Sequence, residues 1–461
     1  MPAVETAPAA PPRPRLPPRP DLSRLMMSAG FMLVPTRFLD ACHERCGDYF
    51  TLRPTADREI VVTADPEAVK RVFTGDPDLL HAGEGNITLA PLLGPGSVLL
   101  LDGAEHLRHR RLLLPPFHGE RMRAYGETME EVAERRIREW PSGRCFAVLP
   151  SMQAITLEVI MRAVFGFEDA ERRDRIGGPL RRILDAVASR PRVLALALTA
   201  GRNGPLSPWR RFAALRERAD ELLYAEIAAR RRDPGGEHGD DIFSLLLAAR
   251  DPDGRPLSDS ELRDELITLL LAGHETTATA LAWTLERLAR APRVLDRLLS
   301  AEAAGDDSYL DAVIKETLRL RPVVPAVVRR LQAPMELGGW ELPAGANIAP
   351  SIYLVHRRPD IYPRPLAFRP ERFLEDPPGT YEWIPFGGGV RRCLGASFAV
   401  FEMKIVIRAA LRARRIGARS GARPEGVTRR AITFAPARGA RIRADRVSPA
   451  GAGHAARAQS R

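Results

Sequence analysis

The sequence predicts a mainly α-helical protein with small inserted β-sheets, folded as a single large unit. Apolar residues recur with helical spacing through much of the 461-residue chain, above all in segments 106–114, 121–140, 151–165, 172–189, 208–232 and 240–250. Strand-like alternation is confined to residues 49–63, 323–354 and 431–436. No internal repeat is visible, and the Asp-Pro-Gly-Gly break at 233–236 is typical of a helix connection rather than of a domain linker. Helices with a few short strands are therefore expected to share one large fold.

The first elements can be predicted in order from local signals. Residues 28–46 have a helical pattern, and residues 49–63 alternate in the manner of a strand pair. Asp65 and Pro66 are predicted to open a helix, because aspartate caps free N–H groups and proline suits the first helical position. Residues 75–103 are rich in glycine and proline, which predicts a long loop of the kind that carries function.

The two ends of the chain are predicted to lie outside the folded unit. The first 20 residues hold eight prolines and no apolar segment, so we expect neither a signal peptide nor an anchor there. Residues 1–24 are predicted to be a disordered, proline-rich arm, residues 25–445 the folded unit, and residues 446–461 a disordered tail.

Composition excludes several classes of protein. Four cysteines in the whole chain do not make a disulfide scaffold and suit a reducing compartment, so we expect a cytoplasmic protein. No run approaches the roughly 18 to 20 apolar residues that a membrane span needs, so a soluble protein without a membrane anchor is expected.

The positive net charge is local. Residues 405–461 hold fourteen arginines and only two acidic residues, so their net charge of +12 exceeds the +11 of the whole chain. No zinc-finger spacing, basic zipper or RNA-binding signature accompanies this charge. We therefore expect no nucleic-acid partner.

One long helix is predicted in the middle of the chain. Ser258 and Glu261 form a capping-box start, and no proline follows until Pro292, about 32 residues later. Residues 266–273 are apolar on every side, as in a helix that lies in the interior of a domain. Polar groups buried there must be hydrogen-bonded or functional. The residues concerned are Gly273, His274, Glu275, Thr276 and Thr277.

A glycine-rich segment, 386–395, precedes the last predicted helix and contains Cys393. A cysteine just before a helix lies at the positive end of the helix dipole, where its thiol pKa is lowered and the thiolate can act as nucleophile or metal ligand. Glycines on both sides allow a flat group to approach the sulfur closely.

Two other metal motifs are incomplete. His274 and Glu275 begin like the zinc-protease motif, but Ala278 occupies the position of the second histidine. Cys42 and Cys46 have no distant second pair of ligands, so packing is the favoured interpretation.

The segment Phe386-Gly387-Gly388-Gly389-Val390-Arg391-Arg392-Cys393-Leu394-Gly395 resembles the haem-binding loop of the cytochrome P450 family. Three further segments resemble the family in the same order. These are Ala272-Gly273-His274-Glu275-Thr276 in the central helix, Glu316-Thr317-Leu318-Arg319, and Phe368-Arg369-Pro370-Glu371-Arg372-Phe373. The resemblance implies a P450-like haem domain over 25–445 and haem b ligated by the Cys393 thiolate, with Phe386 and Gly395 also at the cofactor.

The resemblance also implies supporting residues. Glu316, Arg319 and Arg372 would form a network that fixes the cysteine loop from behind. A second set, His106, Arg110, Arg391 and Arg329, would bind the haem propionates. Arg330 is a rival for the position of Arg329.

The implied activity is that of a haem-thiolate monooxygenase. Thr276 would hold water or dioxygen, Glu275 would connect it to solvent, and Gly273 would leave room beside the iron, with a local opening of the helix. A haem sensor, or a peroxide-using or nitric-oxide-reducing relative, is the alternative, but these would not need the acid and alcohol pair. No flavin or nicotinamide fingerprint is present, so a ferredoxin or flavodoxin with its reductase is the expected electron donor to a monomer.

The substrate is expected to be a lipophilic small molecule such as a fatty acid, terpenoid or polyketide. By resemblance, residues 79–100, 179–212, 266–277, 323–328 and 431–436 line its pocket. The candidate contacts are Ile87, Leu89, Ala272, Val324, Ile432 and Phe434.

Overall fold

The computed structural model describes residues 16–54, 58–117, 121–166, 170–188, 204, 207–233 and 241–447. Helices account for most of this part of the chain. Their bounds are α1 Arg24–Leu33, α2 Pro35–Cys46, α3 Pro66–Thr74, α4 Ala82–Gly85, α5 Ala90–Leu93, α6 Gly103–Leu113, α7 Arg121–Arg138, α8 Leu149–Phe165, α9 Ala170–Ala188, α10 Pro208–Arg232, α11 Ile242–Ala248, α12 Asp259–Arg290, α13 Pro292–Ala303, α14 Ser308–Leu320, α15 Ile352–Val355, α16 Arg372–Glu375 and α17 Ala396–Ala413.

The strands are short and form small sheets. Their bounds are β1 Tyr49–Leu52, β2 Ile60–Thr63, β3 Leu80–His81, β4 Cys145–Ala147, β5 Arg329–Leu331, β6 Met335–Leu337, β7 Trp340–Leu342, β8 Asn347–Pro350, β9 Arg414–Gly417, β10 Val427–Arg430, β11 Thr433–Pro436 and β12 Arg441–Arg446. The largest sheet has the order β1-β2-β8-β5-β3, and β4-β12-β9 form a second sheet. Two hairpins, β6-β7 and β10-β11, complete the described sheets. The predicted mainly α-helical fold with small sheets is confirmed.

The central helix α12 organises the larger core. Ser258 caps it as predicted: its hydroxyl accepts from the Glu261 N–H, and the Glu261 side chain accepts from the Ser258 N–H. α12 packs along α8, while α7 packs along α17, the helix that follows the cysteine loop. Burial on nearly all sides of α12 explains why its sequence has no polar face.

Three local features differ from the sequence expectation. The predicted helix 28–46 is two helices, because the chain breaks at Val34. The predicted loop 75–103 contains the short helices α4 and α5. Within the predicted disordered arm, the carbonyls of Pro17 and Pro18 accept hydrogen bonds from Thr51 of β1 (both 2.9 Å), so this part is held against the largest sheet. Residues 1–15 and 448–461 lie outside the described residues.

Within the described residues, no helix is both long and apolar enough to cross a membrane. Cys42 packs in a core cluster with 2% exposure, and burial raises the pKa of its thiol to about 11. This environment agrees with packing rather than metal binding for the Cys42 and Cys46 pair.

Candidate functional site: the cysteine loop and the central helix

The cysteine loop lies directly before α17 and is closed by its own backbone. The N–H of Cys393 donates to the Phe386 carbonyl (3.0 Å), and the N–H of Arg392 donates to the Gly389 carbonyl (3.1 Å). Gly389 has a φ of +63°, and a Cβ at this position would lie 1.8 Å from the carbonyl oxygen of Phe73 on α3. Glycine is therefore required here both by the backbone conformation and by the close approach of α3.

Cys393 is accessible to solvent on one side, although protein surrounds the sulfur on its other sides. Burial raises the pKa of the thiol, while the Gly395 N–H and the guanidinium groups of Arg110 and Arg392 act to lower it. The position before a helix predicts a lowered pKa, but in this structure burial is the larger effect and the pKa is raised. A cation bound at the sulfur would favour the thiolate.

His106 and Arg110 lie one turn apart on α6 beside this loop. Arg110 donates to the main-chain carbonyl of Arg392 (2.8 Å), which ties α6 to the cysteine loop. Burial, followed by the positive charges of Arg391 and Arg110, lowers the pKa of His106 to about 3. Its Nδ1 is buried and makes no hydrogen bond within the described residues. His106 is therefore a neutral side chain with an unsatisfied polar atom.

Arg391 and Arg329 lie in the same group of charges. Arg391 donates to the Leu101 carbonyl and to Asp102 (both 2.5 Å), and burial lowers its pKa to about 10. Arg329 is 6% exposed, and burial together with Arg391 lowers its pKa to about 10. Arg330 points elsewhere, because it is exposed and pairs with Glu84 (3.3 Å). Of the two arginines, Arg329 therefore lies in the same group of charges as Arg391, and Arg330 pairs with Glu84 at the surface.

These four basic side chains fit a dianionic group. Within the described residues, Asp102 is the carboxylate that pairs with Arg391. Burial, together with repulsion between the basic groups, lowers the pKa of His106 and of Arg329. Two carboxylates bound here would relieve that repulsion and supply a partner for the Nδ1 of His106. With an accessible thiol between glycines nearby, the residues present fit a flat, metal-bearing group with two acidic side chains.

The central helix presents an accessible stripe in its middle. Ala272 is exposed and Thr276, one turn later, is partly exposed, although most of α12 is buried. The Thr276 hydroxyl donates to the Ala272 carbonyl (2.6 Å), and the helix is continuous. The expected local opening of the helix is therefore absent from this part of the structure.

Gly273 has a different role from the predicted one. A Cβ at this position would lie 2.9 Å from Cδ1 of Ile160 on α8. The glycine therefore allows close packing of α12 on α8. On the accessible side of α12, the small side chain of Ala272 leaves the space instead.

Glu275 is held from two sides. Its Oε2 accepts from Nε2 of Gln153 on α8 (2.7 Å), and its Oε1 accepts from Nη1 of Arg430 on β10 (3.1 Å). His274, its neighbour, is buried, lies 3.0 Å from the Thr156 hydroxyl, and has a pKa lowered by burial to about 4. The carboxylate of Glu275 is thus bound by the Gln153 amide and the Arg430 guanidinium.

Comparison with known proteins agrees with this architecture. A family profile described as Cytochrome P450 matches residues 17–431. A Mycobacterium tuberculosis relative named cytochrome P450 135B1 is 46% identical over 415 residues, covering 88% of this chain and 86% of the relative. The chain belongs to the cytochrome P450 family.

Other P450s support the assignment. Cytochrome P450 135A1 of Mycobacterium tuberculosis is 42% identical over 428 residues, which cover 92% of this chain and 93% of the relative. A cyanobacterial P450 with retinoic acid bound superposes with a TM-score of 0.81 at 25% identity, covering 94% of this chain and 100% of that one. Family members bind haem through a cysteine thiolate and act as monooxygenases, and this P450 is an enzyme of that kind.

The network behind the P450 cysteine loop has the expected ion pairs. Arg319 donates to both oxygens of Glu316 (2.6 and 2.9 Å), and Arg372 donates to Glu316 as well (3.2 Å). Arg319 also binds the carbonyl of His356 (2.7 Å), whose ring accepts from the Ile384 N–H (2.9 Å). The network therefore reaches the chain two residues before Phe386, a link through His356 that the sequence did not suggest.

The predicted pocket residues differ in their exposure. Ile87 and Ile432 are 55% and 46% exposed, and Leu89 and Val324 are half-buried. Phe434 was predicted wrongly: it is 3% exposed in a core cluster, with its ring edge-on to Tyr353 (5.9 Å between ring centroids). The stretches 189–203 and 205–206 of the predicted lining lie outside the described residues.

Three residues of this site were missed by the sequence analysis. Asp102 binds Arg391 as well as the Gly83 N–H, and an aspartate before a glycine turn is a signal that could have pointed to it. Gln153 and Arg430 contact Glu275 from 122 and 155 residues away, and no local pattern marks such contacts.

Proposed function

We propose that this P450 inserts one oxygen atom from O2 into a lipophilic small molecule, with electrons from an external redox protein. The observation that carries the proposal is the accessible stripe of Ala272 and Thr276 on an otherwise buried helix, with Glu275 beside it. An alcohol and an acid at this place provide the proton donor that reductive activation of O2 requires. Peroxide-driven or sensor proteins would have no need of the pair.

The cofactor residues are assigned from the same geometry. Cys393 is the proposed iron ligand, and His106, Arg110, Arg329 and Arg391 are the proposed propionate ligands. When bound, the haem supplies the oxygen chemistry, and thiolate ligation favours cleavage of the O–O bond. Phe386 and Gly395 are also assigned to the cofactor: the Phe386 carbonyl accepts from the Cys393 N–H, and a Cβ at Gly395 would meet no non-neighbouring atom within 4 Å, which is open space that a flat group could use.

The side chains of the accessible stripe would position water and protons. The Thr276 hydroxyl can rotate from the Ala272 carbonyl to a bound water, since the same oxygen both donates and accepts. Glu275, 21% exposed at its side chain, would connect that water to solvent. Ala272 has a small side chain, which leaves space on the accessible stripe beside Thr276.

The substrate would be held by apolar contacts. Ile87, Leu89, Val324 and Ile432 supply apolar surface that is not fully used in the core. The cyanobacterial relative that binds retinoic acid supports a lipophilic ligand of this general class. A fatty acid, terpenoid or polyketide remains the proposed substrate class.

The proposed donor is a ferredoxin or flavodoxin with its reductase. Arg111 and Arg392 are exposed near the cysteine loop and form a small basic patch for an acidic partner. Arg108 does not belong to that patch, because it binds Asp251 (2.9 Å) and Glu261 (2.8 Å). A monomer in the reducing cytoplasm completes the proposal.

Oxygen labelling tests this function. Candidate lipophilic compounds that change the absorption spectrum of the haem-loaded protein would be incubated with the reduced donor and ¹⁸O2. We expect product that carries one ¹⁸O atom per molecule. Product labelled from ¹⁸O-water instead, or formed equally well from hydrogen peroxide without donor, would contradict the proposal.

A further inference from the structure

The acid and the alcohol of the central helix are not connected to each other in this structure. The Thr276 hydroxyl donates its hydrogen to the Ala272 carbonyl (2.6 Å). Both oxygens of Glu275 are engaged, by Gln153 at 2.7 Å and by Arg430 at 3.1 Å. Held in this position, Glu275 makes no hydrogen bond to Thr276 within the described residues, and release of Gln153 or Arg430 would leave the carboxylate free to move toward Thr276.

Of the two partners, Arg430 is the one that can move. Gln153 is part of α8, which packs closely along α12 and is fixed by that contact. Arg430 is the last residue of β10, next to the hairpin turn, and its side chain is 31% exposed. An ion pair with this exposure is only modestly stable, so it can open at little cost.

The hairpin joins Arg430 to the proposed substrate pocket. Arg430 faces Thr433 across the hairpin, and the Thr433 hydroxyl donates to the Arg430 carbonyl (2.9 Å). The turn between them consists of Ala431, which has an unfavourable φ of +47°, and Ile432, which is 46% exposed. A ligand that contacts Ile432 acts two residues from the guanidinium that holds Glu275.

We propose that Arg430 is a positioning residue that keeps Glu275 closed until substrate contacts the tip of the β10-β11 hairpin. The inference rests on the proposed function and adds to it a control of proton delivery. In the closed state the carboxylate is held by Arg430 and Gln153. Contact at Ile432 shifts the hairpin, Arg430 withdraws, and Glu275 becomes free to carry protons to Thr276. Reduction of O2 consumes protons, so the closed state suppresses electron consumption without substrate.

Amide hydrogen exchange tests the mechanical half of the inference. In the haem-loaded protein, Arg430→Gln and Glu275→Gln should each raise exchange in residues 427–436 by about two- to fivefold, as expected for a partly exposed ion pair. The double variant should show no more than either single change, because both remove the same contact. Arg430→Lys should retain much of the protection.

A matched control is available between α7 and α8. Arg136 pairs with Glu158 at 3.1 Å and is 33% exposed at its side chain, close to the values for Arg430. Arg136→Gln should leave exchange in residues 427–436 unchanged. Unchanged exchange in Arg430→Gln, or an equal rise in Arg136→Gln, would overturn the inference.

Donor oxidation without substrate tests the functional half. Arg430→Gln should consume electrons about two- to fivefold faster than the unaltered protein when no substrate is present. In the Glu275→Gln background this increase should vanish, whereas a general loosening of the pocket would raise consumption in both backgrounds. An increase that persists without Glu275 overturns the inference. Loss of haem binding by the unaltered protein would instead overturn the proposed function.

Discussion

Accessibility distinguishes Thr276 from other threonines of the central helix. Thr268, Thr276 and Thr284 each donate a hydrogen bond to the carbonyl four residues earlier, at 2.7, 2.6 and 2.9 Å. Thr268 and Thr284 are buried, so this bond satisfies a hydroxyl that has few alternatives. Thr276 is partly exposed beside Ala272, so its hydroxyl can exchange this bond for one to water.

Thr276→Ala is expected to lower coupled turnover by about 10- to 1000-fold, the contribution of a positioned proton donor with its relay. Haem binding and substrate binding should persist, and electrons should pass to hydrogen peroxide. The measurement is product formed per electron pair consumed. Thr284→Ala is the control, since it removes the same type of bond from a buried position, and it should leave this ratio unchanged. An unaltered ratio in Thr276→Ala would remove the hydroxyl from the mechanism.

At the scale of elements, a buried charge cluster joins α6 to α12. The ring nitrogens of His109 lie 2.7 Å from Glu265 and 3.1 Å from Glu261. His109 is 1% exposed and Glu265 is fully buried, and Glu265 also accepts from the Val98 N–H (2.8 Å). The helix that carries His106 and Arg110 is thereby fixed to the helix that carries Thr276.

His109→Leu is expected to destabilise the protein by about 3–5 kcal/mol, because it leaves Glu265 buried without its main partner. Burial raises the pKa of Glu265 to about 7, and the hydrogen bond from His109 opposes that shift. A carboxyl whose pKa is raised in the folded state makes the folded protein less stable as pH rises from the unfolded pKa of that group to its folded pKa. Burial lowers the pKa of His109, but the hydrogen bonds and charges of Glu265 and Glu261 raise it by more, so the unaltered protein also loses stability as His109 deprotonates. The two pH dependences oppose each other in the variant, so the deficit is expected at both pH 5 and pH 8.

Denaturant unfolding at pH 5 and pH 8 measures this effect. His43→Leu is the control, because His43 pairs with Asp48 at 2.8 Å near the surface, and it should cost less than about 1 kcal/mol. A deficit for His109→Leu that is no larger than that for His43→Leu at both pH values would show that His109 is not the main partner of Glu265.

Local sequence signals predicted the elements of the site better than its contacts. The capping box at Ser258 specifies structure within a few residues of itself, and it was predicted correctly. Gly389 before Cys393 is required by the close approach of Phe73 on α3, a contact that the local sequence did not indicate. The contact of Arg391 with Asp102 spans 289 residues, and side-chain packing in the finished fold decides it. The prediction that Phe434 lines the pocket was wrong for the same reason. An apolar residue near a pocket and one in a core have the same local sequence pattern.

At the scale of the whole molecule, less positive charge is available to a binding partner than the sequence suggests. Many arginines are engaged in ion pairs, as Arg108 is with Asp251 and Glu261. Arg111 and Arg392 remain exposed near the cysteine loop. A partner that donates electrons is therefore expected to meet a small basic patch rather than a wide one.

Reduction by an acidic ferredoxin should slow several-fold between low and high salt, because the screening length is only about 10 Å at 0.1 M. Arg111→Glu and Arg392→Glu should slow it further at low salt. Arg415→Glu is the control, since exposed Arg415 lies beyond the far end of α17, about 27 Å along the helix from the cysteine loop. A reduction rate that does not change with salt would refute this docking patch.

The proposed function depends most on Cys393 as the thiolate ligand of haem. The direct measurement is the absorption spectrum of the reduced, haem-loaded protein with carbon monoxide, which reports whether a thiolate binds the iron. The unaltered protein should show the red-shifted Soret band of a thiolate-ligated haem, and Cys393→Ser should abolish it. Replacing Cys42, Cys46 and Cys145 together with alanine should leave the band in place. A band that survives Cys393→Ser, or that disappears in the triple variant, would contradict the assignment.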